Sequence, residues 1–146
     1  VFVTREGRPE GVVSTRDLMR AVREKRLRTP IAEIASGSVV KVKAEDPIAL
    51  AVDRLDLSNK HGLVVVEGSF PVGVFDQACA LESRRLPPNT AVEHAMDVRI
   101  LILPGGIGMG RAAEQALSMN VRRILIEDDL GVNAIVGGLD FARVMN

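Results

Sequence analysis

The chain has 146 residues and a mass of 15.7 kDa, and its 19 Lys and Arg side chains balance 19 Asp and Glu side chains. A net charge of zero provides no broad electrostatic attraction to nucleic acid or to an anionic membrane surface. With 47% hydrophobic and 26% charged residues, the composition is that of a globular protein and excludes disorder of the whole chain.

Apolar runs and cysteine usage indicate the cellular environment expected for the protein. The longest apolar runs, such as residues 63–66 and 100–103, have the length of strands and fall far short of the roughly 18 residues of a membrane span. The single cysteine, Cys79, excludes an intrachain disulfide and a thiolate metal cluster. We therefore expect a cytoplasmic protein without a membrane span. Because the chain begins with Val1 and not Met, we also expect it to be cut from a longer one.

The first elements along the chain are a hairpin and a helix. An apolar triplet, residues 1–3, and a second one, Gly11-Val12-Val13, flank a turn-forming linker, which predicts a β-hairpin. Leu18, Ala21 and Val22 then recur at helical spacing. Thr29 followed by Pro30 predicts a short helix with Thr29 as its N-cap.

The rest of the chain repeats this order with a period of 61 or 62 residues. Gly73-Val74-Phe75 and Ala134-Ile135-Val136 correspond to the second triplet, and each has an apolar triplet upstream. Thr90 with Glu93 predicts a capping box where Thr29 stands one period earlier. A strand and an amphipathic helix precede each of these hairpins, the helix beginning at Asp46-Pro47 in one copy and carrying Met109, Ala112, Ala113, Ala116 and Leu117 on one face in the other.

The repeating unit is therefore β-α-β-β-α. Residues 1–26 supply only the second half of a unit, whereas residues 27–87 and 88–146 each supply a complete one. Units this small bury their cores better against a neighbour, so we expect an α/β (α+β) fold in which two units pack as a pseudo-twofold pair.

This order resembles the cystathionine-β-synthase (CBS) domain family. The segment from Gly11 to Asp17, Gly-Val-Val-Ser-Thr-Arg-Asp, is similar to the family's G-h-h-[S/T]-x-x-D end motif, where h is hydrophobic. Members pair into regulatory modules that commonly bind adenine-containing ligands, and the modules often form disc-like dimers. The resemblance thus implies a module that binds AMP, ADP or ATP between its units, forms a homodimer and reports to an effector domain or protein.

The same resemblance implies candidate site residues. In the family, the Asp of the motif accepts hydrogen bonds from ribose hydroxyls and the Ser or Thr lies near ribose or phosphate, which assigns these roles to Asp17 and Ser14. The second copy has Asp76 and Cys79 at these positions, so a ribose site there is doubtful, and the third keeps Asp140 but has glycine in place of the serine. A Ser-x-x-Asp pair is equally a helix capping pair that needs no ligand.

Fixed positive charge for a phosphate is available at Arg122 and Arg123, immediately before the first hairpin strand of the third copy. The alternative is a solvated pair at a sheet edge. For the corresponding Lys60 and His61 we favour a structural role. The glycines between Gly105 and Gly110 do not have the spacing of a dinucleotide-binding loop and indicate a flexible helix start.

Two classes of function remain. The first is a nucleotide-binding regulatory module with Asp140 on the ribose and Arg122 and Arg123 on phosphate, and with Asp17 serving a further site. The second is a ligandless oligomerisation scaffold, and regulation of a transporter or a transcription factor by this segment is a weaker third hypothesis. The two histidines lack metal-ligand spacing and no nucleophile motif occurs, so we expect neither catalysis nor a metal site.

Overall fold

A computed structural model of the chain describes residues 2–35, 37–58 and 60–145, and Val1 of the first predicted triplet lies outside them. The strands are β1 (Phe2–Arg5), β2 (Arg8–Val12), β3 (Lys41–Lys43), β4 (Gly62–Glu67), β5 (Phe70–Asp76), β6 (Leu101–Pro104), β7 (Ile124–Asp128) and β8 (Gly131–Val136). The helices are α1 (Thr15–Glu24), α2 (Ile48–Ser58), α3 (Gln77–Glu82), α4 (Met109–Ser118) and α5 (Gly138–Arg143). Short 3-10 turns cover Ile31–Ile34, Ser83–Arg85 and Val92–His94.

The strands form two equivalent three-stranded sheets and one separate hairpin. In each three-stranded sheet the first strand pairs parallel and the third pairs antiparallel with the central strand, in the orders β3-β4-β5 and β6-β7-β8. The antiparallel hairpin β1-β2 stands apart from both. The α+β class and the three hairpins predicted from the repeat are confirmed.

The two sheets pack face to face. Alternate residues of a strand point to opposite faces, so Val64 and Val66 of β4 contact Leu125 of β7 and Ile135 of β8, whereas Leu63 and Val65 point to helices α2 and α3. Burial of both faces explains why β4 is an uninterrupted apolar run and does not alternate with polar residues. The contact between the sheets is the expected pseudo-twofold pairing of the second and third copies.

The segments that lead into β3 and β6 are exchanged between the copies. The amide of Ile31 donates to the carbonyl of Ile107 at 2.8 Å, and the amide of Val92 donates to the carbonyl of Asp46 at 2.9 Å. The predicted N-caps at Thr29 and Thr90 are therefore wrong. Pro30 and Ala91 occupy the cap positions of 3-10 turns without a side-chain cap, because backbone carbonyls of the other copy already satisfy the first amides.

Helix α1 packs on the third copy, against α4 and α5. Its Met19 and Val22 are fully buried in one cluster with the three buried alanines of α4 and with Phe141 of α5. The predicted apolar face of α4 is confirmed, and its small side chains let α1 approach closely. None of the helices in the described part of the chain has the length and apolarity that a bilayer crossing requires.

Candidate ligand-binding cleft

A cleft of about 370 Å³ lies where the N-terminal ends of α1 and α5 meet, and we call it the α1–α5 cleft. Its volume is in the range of small-molecule sites, which begins at roughly 300 Å³. The residues that line it are Val12, Val13, Ser14, Thr15, Leu18, His61, Arg123, Gly138 and Leu139. Of the five predicted site residues, the cleft therefore brings Ser14 and Arg123 together. It is not the largest one, since a cleft of about 840 Å³ lies at the other end of α1, but that cleft is lined by none of the five.

Ser14 and Asp17 form a capping box at the start of α1. The Ser14 hydroxyl accepts from the Asp17 amide at 3.3 Å, and the Asp17 carboxylate accepts from the Ser14 amide at 2.9 Å and from its hydroxyl at 2.6 Å. These hydrogen bonds from Ser14, helped by Arg20 at 3.3 Å, hold the pKa of Asp17 below its ordinary value of 3.8. The helix-capping alternative is thus present in the structure. Asp17 does not line the cleft, whereas Ser14 does.

Asp140 caps α5 from inside the molecule. Its carboxylate accepts from the Gly137 amide at 2.8 Å and lies 3.6 Å from the guanidinium of Arg143. Only 1% of the residue is exposed, and it is absent from the lining of the cleft. The predicted ribose contact requires an accessible carboxylate. In this structure the Asp140 carboxylate is already hydrogen-bonded to the Gly137 amide and is buried in the core.

Arg123 joins the second copy to the third. Its guanidinium donates to the carbonyl of His61 at 3.3 Å and lies 3.5 Å from the carboxylate of Asp76, the residue that also caps α3 through the amides of Ala78 and Cys79. The Arg123 Nε is buried and has no hydrogen-bond partner. Gly137 leaves room for the Arg123 side chain, because a Cβ at Gly137 would lie only 2.6 Å from the guanidinium. Arg123 is therefore held in place by Asp76, and its Nε–H group remains available to donate a hydrogen bond.

Arg122 does not line the cleft. Its guanidinium lies 3.7 Å from the Asp97 carboxylate, which also accepts two hydrogen bonds of 2.9 Å from the Arg99 side chain. Burial alone would raise the pKa of Asp97, but the hydrogen bonds from Arg99 and the charge of Arg122 outweigh burial and lower it. The structure consequently separates Arg122 from Arg123, although they are adjacent in sequence.

Sequence reasoning missed Thr15, Gly138 and the role of Asp76, and it favoured a purely structural role for His61. Gly138 contacts Thr15 so closely that a Cβ at Gly138 would lie 3.1 Å from the Thr15 Cβ. The sequence signal for this contact is the Gly137-Gly138 pair after β8, because the second copy has the larger residues Asp76 and Gln77 at the equivalent positions. Contact between α1 and α5 is a tertiary feature that the 61-residue period does not predict.

Comparison with known proteins identifies the fold. No protein-family model and no curated protein matches the sequence. Among solved structures, a CBS-domain containing protein from Agrobacterium tumefaciens has a TM-score of 0.69 at 15% identity over 81% of this chain and 100% of that chain. A Methanocaldococcus jannaschii protein described as a proposed archaeal homologue of g-AMPK has a TM-score of 0.73 at 15% identity over 97% of this chain and 56% of that chain.

A third similar structure contains ligands. The CBS domain pair of protein MJ0100, solved with 5-methylthioadenosine and S-adenosyl-L-methionine, has a TM-score of 0.70 at 18% identity and covers 80% of this chain and 95% of that chain. Identities this low show the fold alone. Two β-α-β-β-α copies with their sheets face to face, together with these similarities, show that the chain has the fold of a tandem CBS pair.

Proposed function

We propose that the chain is a regulatory module that binds an adenine nucleoside or nucleotide in the α1–α5 cleft and passes its occupancy to a partner or effector domain. The observation that carries the proposal is the cleft itself, in which apolar walls, two hydroxyl groups and a guanidinium converge. The complex of the MJ0100 domain pair with two adenosine-type ligands supports the ligand class.

The chemistry of the walls suits a nucleoside. Val12, Val13, Leu18 and Leu139 offer apolar surface on which a flat base can be buried, and few polar groups are then needed to orient it. The hydroxyls of Ser14 and Thr15 stand at the start of α1 and can exchange hydrogen bonds with a ribose. In this proposal Asp17 and Asp140 position the two helix ends and do not contact the ribose.

Arg123 determines how much negative charge the cleft can accommodate on a ligand. Among the residues that line the cleft, it is the one with a fixed positive charge, and it already faces Asp76 at 3.5 Å. A phosphate can share this guanidinium, because the Asp76 carboxylate has a second role as the cap of α3 and stays in place. We therefore propose adenosine, its thioether analogue or AMP as the preferred ligand, ahead of ADP and ATP with their additional charge.

The position of α1 explains how occupancy could be transmitted. One wall of the cleft comes from the end of β2 and the start of α1, and the opposite wall comes from His61, Arg123 and the start of α5. A ligand that contacts both walls favours the state in which they are held together, by its differential affinity for that state. Ligand occupancy of the cleft is thereby coupled to the packing of the β1-β2-α1 segment on the CBS pair.

One observation favours the second candidate function, a ligandless scaffold. The predicted polar side chains already have partners within the chain, Ser14 in a capping box and Arg123 with Asp76. A scaffold requires nothing more of them, so a binding experiment separates the two functions.

Thermal unfolding in the presence of adenosine, 5-methylthioadenosine, AMP, ADP, ATP and S-adenosylmethionine tests the proposal. A ligand at about 100 times its dissociation constant adds about 2.7 kcal/mol to the free energy of unfolding, which raises the midpoint by roughly 5–11 °C for a chain of this size. The variant Leu139→Trp fills the cleft from a position that is 47% exposed, so it should fold normally and lose the shift.

The matched control is Leu130→Trp, which places the same side chain at the 95% exposed turn between β7 and β8 and should keep the full shift. If no ligand moves the midpoint at millimolar concentration, the module does not bind adenosine-type ligands. If Leu139→Trp binds as well as the unmodified chain, the ligand sits elsewhere.

A further inference from the structure

The cleft of about 840 Å³ at the C-terminal end of α1 is lined mainly by charged side chains, and we call it the arginine cleft. Its charged lining residues are Arg23, Glu24, Arg26, Arg28, Arg111 and Glu114. Four guanidinium groups against two carboxylates give this lining a net positive charge. The arginine cleft shares no lining residue with the α1–α5 cleft, so an inference about it is independent of the proposed function.

The two carboxylates are paired with two of the four arginines. The Arg111 guanidinium lies 2.7 Å from the Glu114 carboxylate, and the Arg23 guanidinium lies 3.9 Å from the Glu24 carboxylate. Within the described part of the chain, the side chains of the other two arginines, at positions 26 and 28, have neither an ion pair nor a hydrogen bond. Ion pairs between exposed side chains are weak, so the paired arginines can also turn toward an anion.

A backbone contact brings these arginines to one place. The amide of Gly110 at the start of α4 donates to the carbonyl of Leu27 at 2.9 Å, and a Cβ at Gly110 would lie 3.2 Å from the Leu27 backbone. The contact holds Arg26 and Arg28, which flank Leu27, at the same cleft as Arg111 of α4. The amides of the first turn of α4 all donate to carbonyls of the chain, so the cleft attracts an anion through its arginines and not through a helix N-terminus.

The second copy shows that this backbone contact does not require arginine. The amide of Ala49 at the start of α2, one period before Gly110, donates to the carbonyl of Pro88 at 3.0 Å. Pro87 and Asn89 flank that contact, at the positions of the two unpaired arginines. The same local structure therefore forms without any positive charge, and the fold alone does not explain two arginines at the start of α4.

The backbone of Arg26 is strained. Arg26 follows Lys25, the C-cap of α1, and has a φ of 49°, in the left-handed region. Glycine or asparagine usually occupies this position, because a residue with a larger side chain is strained there. The equivalent position after α4 has Asn120, with a φ of 56°. Strained residues cluster at ligand sites, and an arginine in place of glycine indicates that its side chain has a use there.

We propose that the arginine cleft binds a small anion with two or more phosphate groups, either free or carried by an organic molecule. One phosphate group carries about two negative charges near neutral pH, which the guanidinium groups of Arg26 and Arg28 match. Arg23 and Arg111 are then the donors for a second phosphate. Among the described lining residues Leu27 has the one large apolar side chain, so the cleft recognises charge and offers little surface for a base.

Isothermal titration calorimetry of the whole chain with inorganic pyrophosphate and triphosphate tests the proposal. Both should bind saturably, and sulfate should bind at least roughly tenfold more weakly, because it offers a single anionic group. Arg28→Gln removes one unpaired guanidinium and should weaken pyrophosphate binding roughly tenfold. Lys25→Gln is the matched control, because Lys25 is exposed and adjacent to Arg26 but does not line the cleft, so the affinity should stay within about threefold.

Arg26→Gly separates binding from stability. Glycine adopts a φ of 49° without strain, so this variant should not unfold at a lower temperature than the unmodified chain. It should nevertheless bind pyrophosphate roughly tenfold more weakly, because one unpaired guanidinium is lost. A purely structural role of Arg26 predicts unchanged binding instead.

Leu139→Trp distinguishes this site from the α1–α5 cleft, because the variant fills that cleft and should bind pyrophosphate with unchanged affinity. In the same variant, ADP that binds as tightly as pyrophosphate supports a diphosphate carried by a larger molecule, and weaker binding of ADP supports the free anion. The proposal is overturned if pyrophosphate and triphosphate give no saturable heat at millimolar concentration, or if sulfate binds equally well. Loss of pyrophosphate binding in Leu139→Trp, or unchanged binding in both Arg26→Gly and Arg28→Gln, also overturns it.

Discussion

Replacement of Gly138 by alanine should reverse the usual effect of this substitution in a helix. Gly138 is the first residue of α5, and its backbone does not require glycine, so alanine would ordinarily stabilise the helix by up to about 1 kcal/mol. Here the new methyl group would lie 3.1 and 3.2 Å from Cβ and Cγ2 of Thr15, and closer still to its hydroxyl oxygen. We expect Thr15, at the start of α1, to be displaced.

The magnitude follows from two opposing contributions. An extra methyl group in a well-packed contact costs about 1–3 kcal/mol. The gain in helix propensity offsets part of that cost, which leaves a net loss of up to about 2 kcal/mol and lowers the midpoint by up to roughly 8 °C. Complete undocking of α1 would cost more, since Met19 and Val22 are fully buried and each contributes about 1.5–3 kcal/mol, so a local shift of Thr15 is the less costly response.

Urea unfolding of a double-mutant cycle measures the contact. Thr15→Ala removes the hydroxyl and one methyl group but keeps the Cβ, so Gly138→Ala should cost clearly less in that background, with a coupling energy of about 1 kcal/mol. Gly106→Ala is the matched control, because nothing lies within 4 Å of a Cβ at that glycine. If Gly138→Ala stabilises the chain that retains Thr15, α1 does not pack on α5 as described.

Three further predictions concern the carboxylates and the thiol. Asp76→Ala should cost about 2–4 kcal/mol in unfolding experiments, because it removes the cap of α3 and leaves the Arg123 guanidinium without its carboxylate, whereas Asp76→Asn, which keeps the cap, should cost less. The folded-state pKa of Asp17 is lowered, so its contribution to stability is present above its ordinary value of 3.8 and is lost as the pH falls through the folded value. The midpoints of the unmodified chain and Asp17→Asn should therefore converge as the pH is lowered below 3.8, and a constant difference would contradict the capping box. Burial raises the pKa of Cys79, so the thiol should react with a disulfide reagent only after unfolding, and fast reaction of the folded chain would contradict its burial in the core.

The 61-residue period predicted the local structure well, because hairpins and amphipathic helices depend on nearby residues. The triplets ending in Val66 and Phe75 became adjacent strands with the expected pairing, and the face of α4 that begins at Met109 is buried as predicted. The capping predictions at Thr29 and Thr90 failed for a nonlocal reason. Their turns take backbone acceptors from the opposite copy, and a capping rule considers only neighbours in sequence.

The site depends even more on tertiary contacts. Ser14 and Asp17 form the pair that the sequence indicated, but Asp140 is covered by the core and Arg122 is drawn to Asp97. Whether a carboxylate is open to a ligand depends on what packs above it, and a motif contains no information about that packing. The resemblance to CBS domains predicted the fold, whereas the packing of α1 on α4 and α5 depends on tertiary contacts that the resemblance does not specify.

The most direct test of the proposed function is a titration of the ¹⁵N-labelled chain with AMP or 5-methylthioadenosine, followed by amide chemical shifts. A ligand in the α1–α5 cleft should shift the amides of Ser14, Thr15, Gly138 and Leu139 together, in a saturating manner, and leave the amides of Val52 in α2 and Leu81 in α3 unchanged. Shifts centred instead on the arginine-lined cleft at the other end of α1, or no shifts at all, would contradict the cleft as the site of ligand recognition.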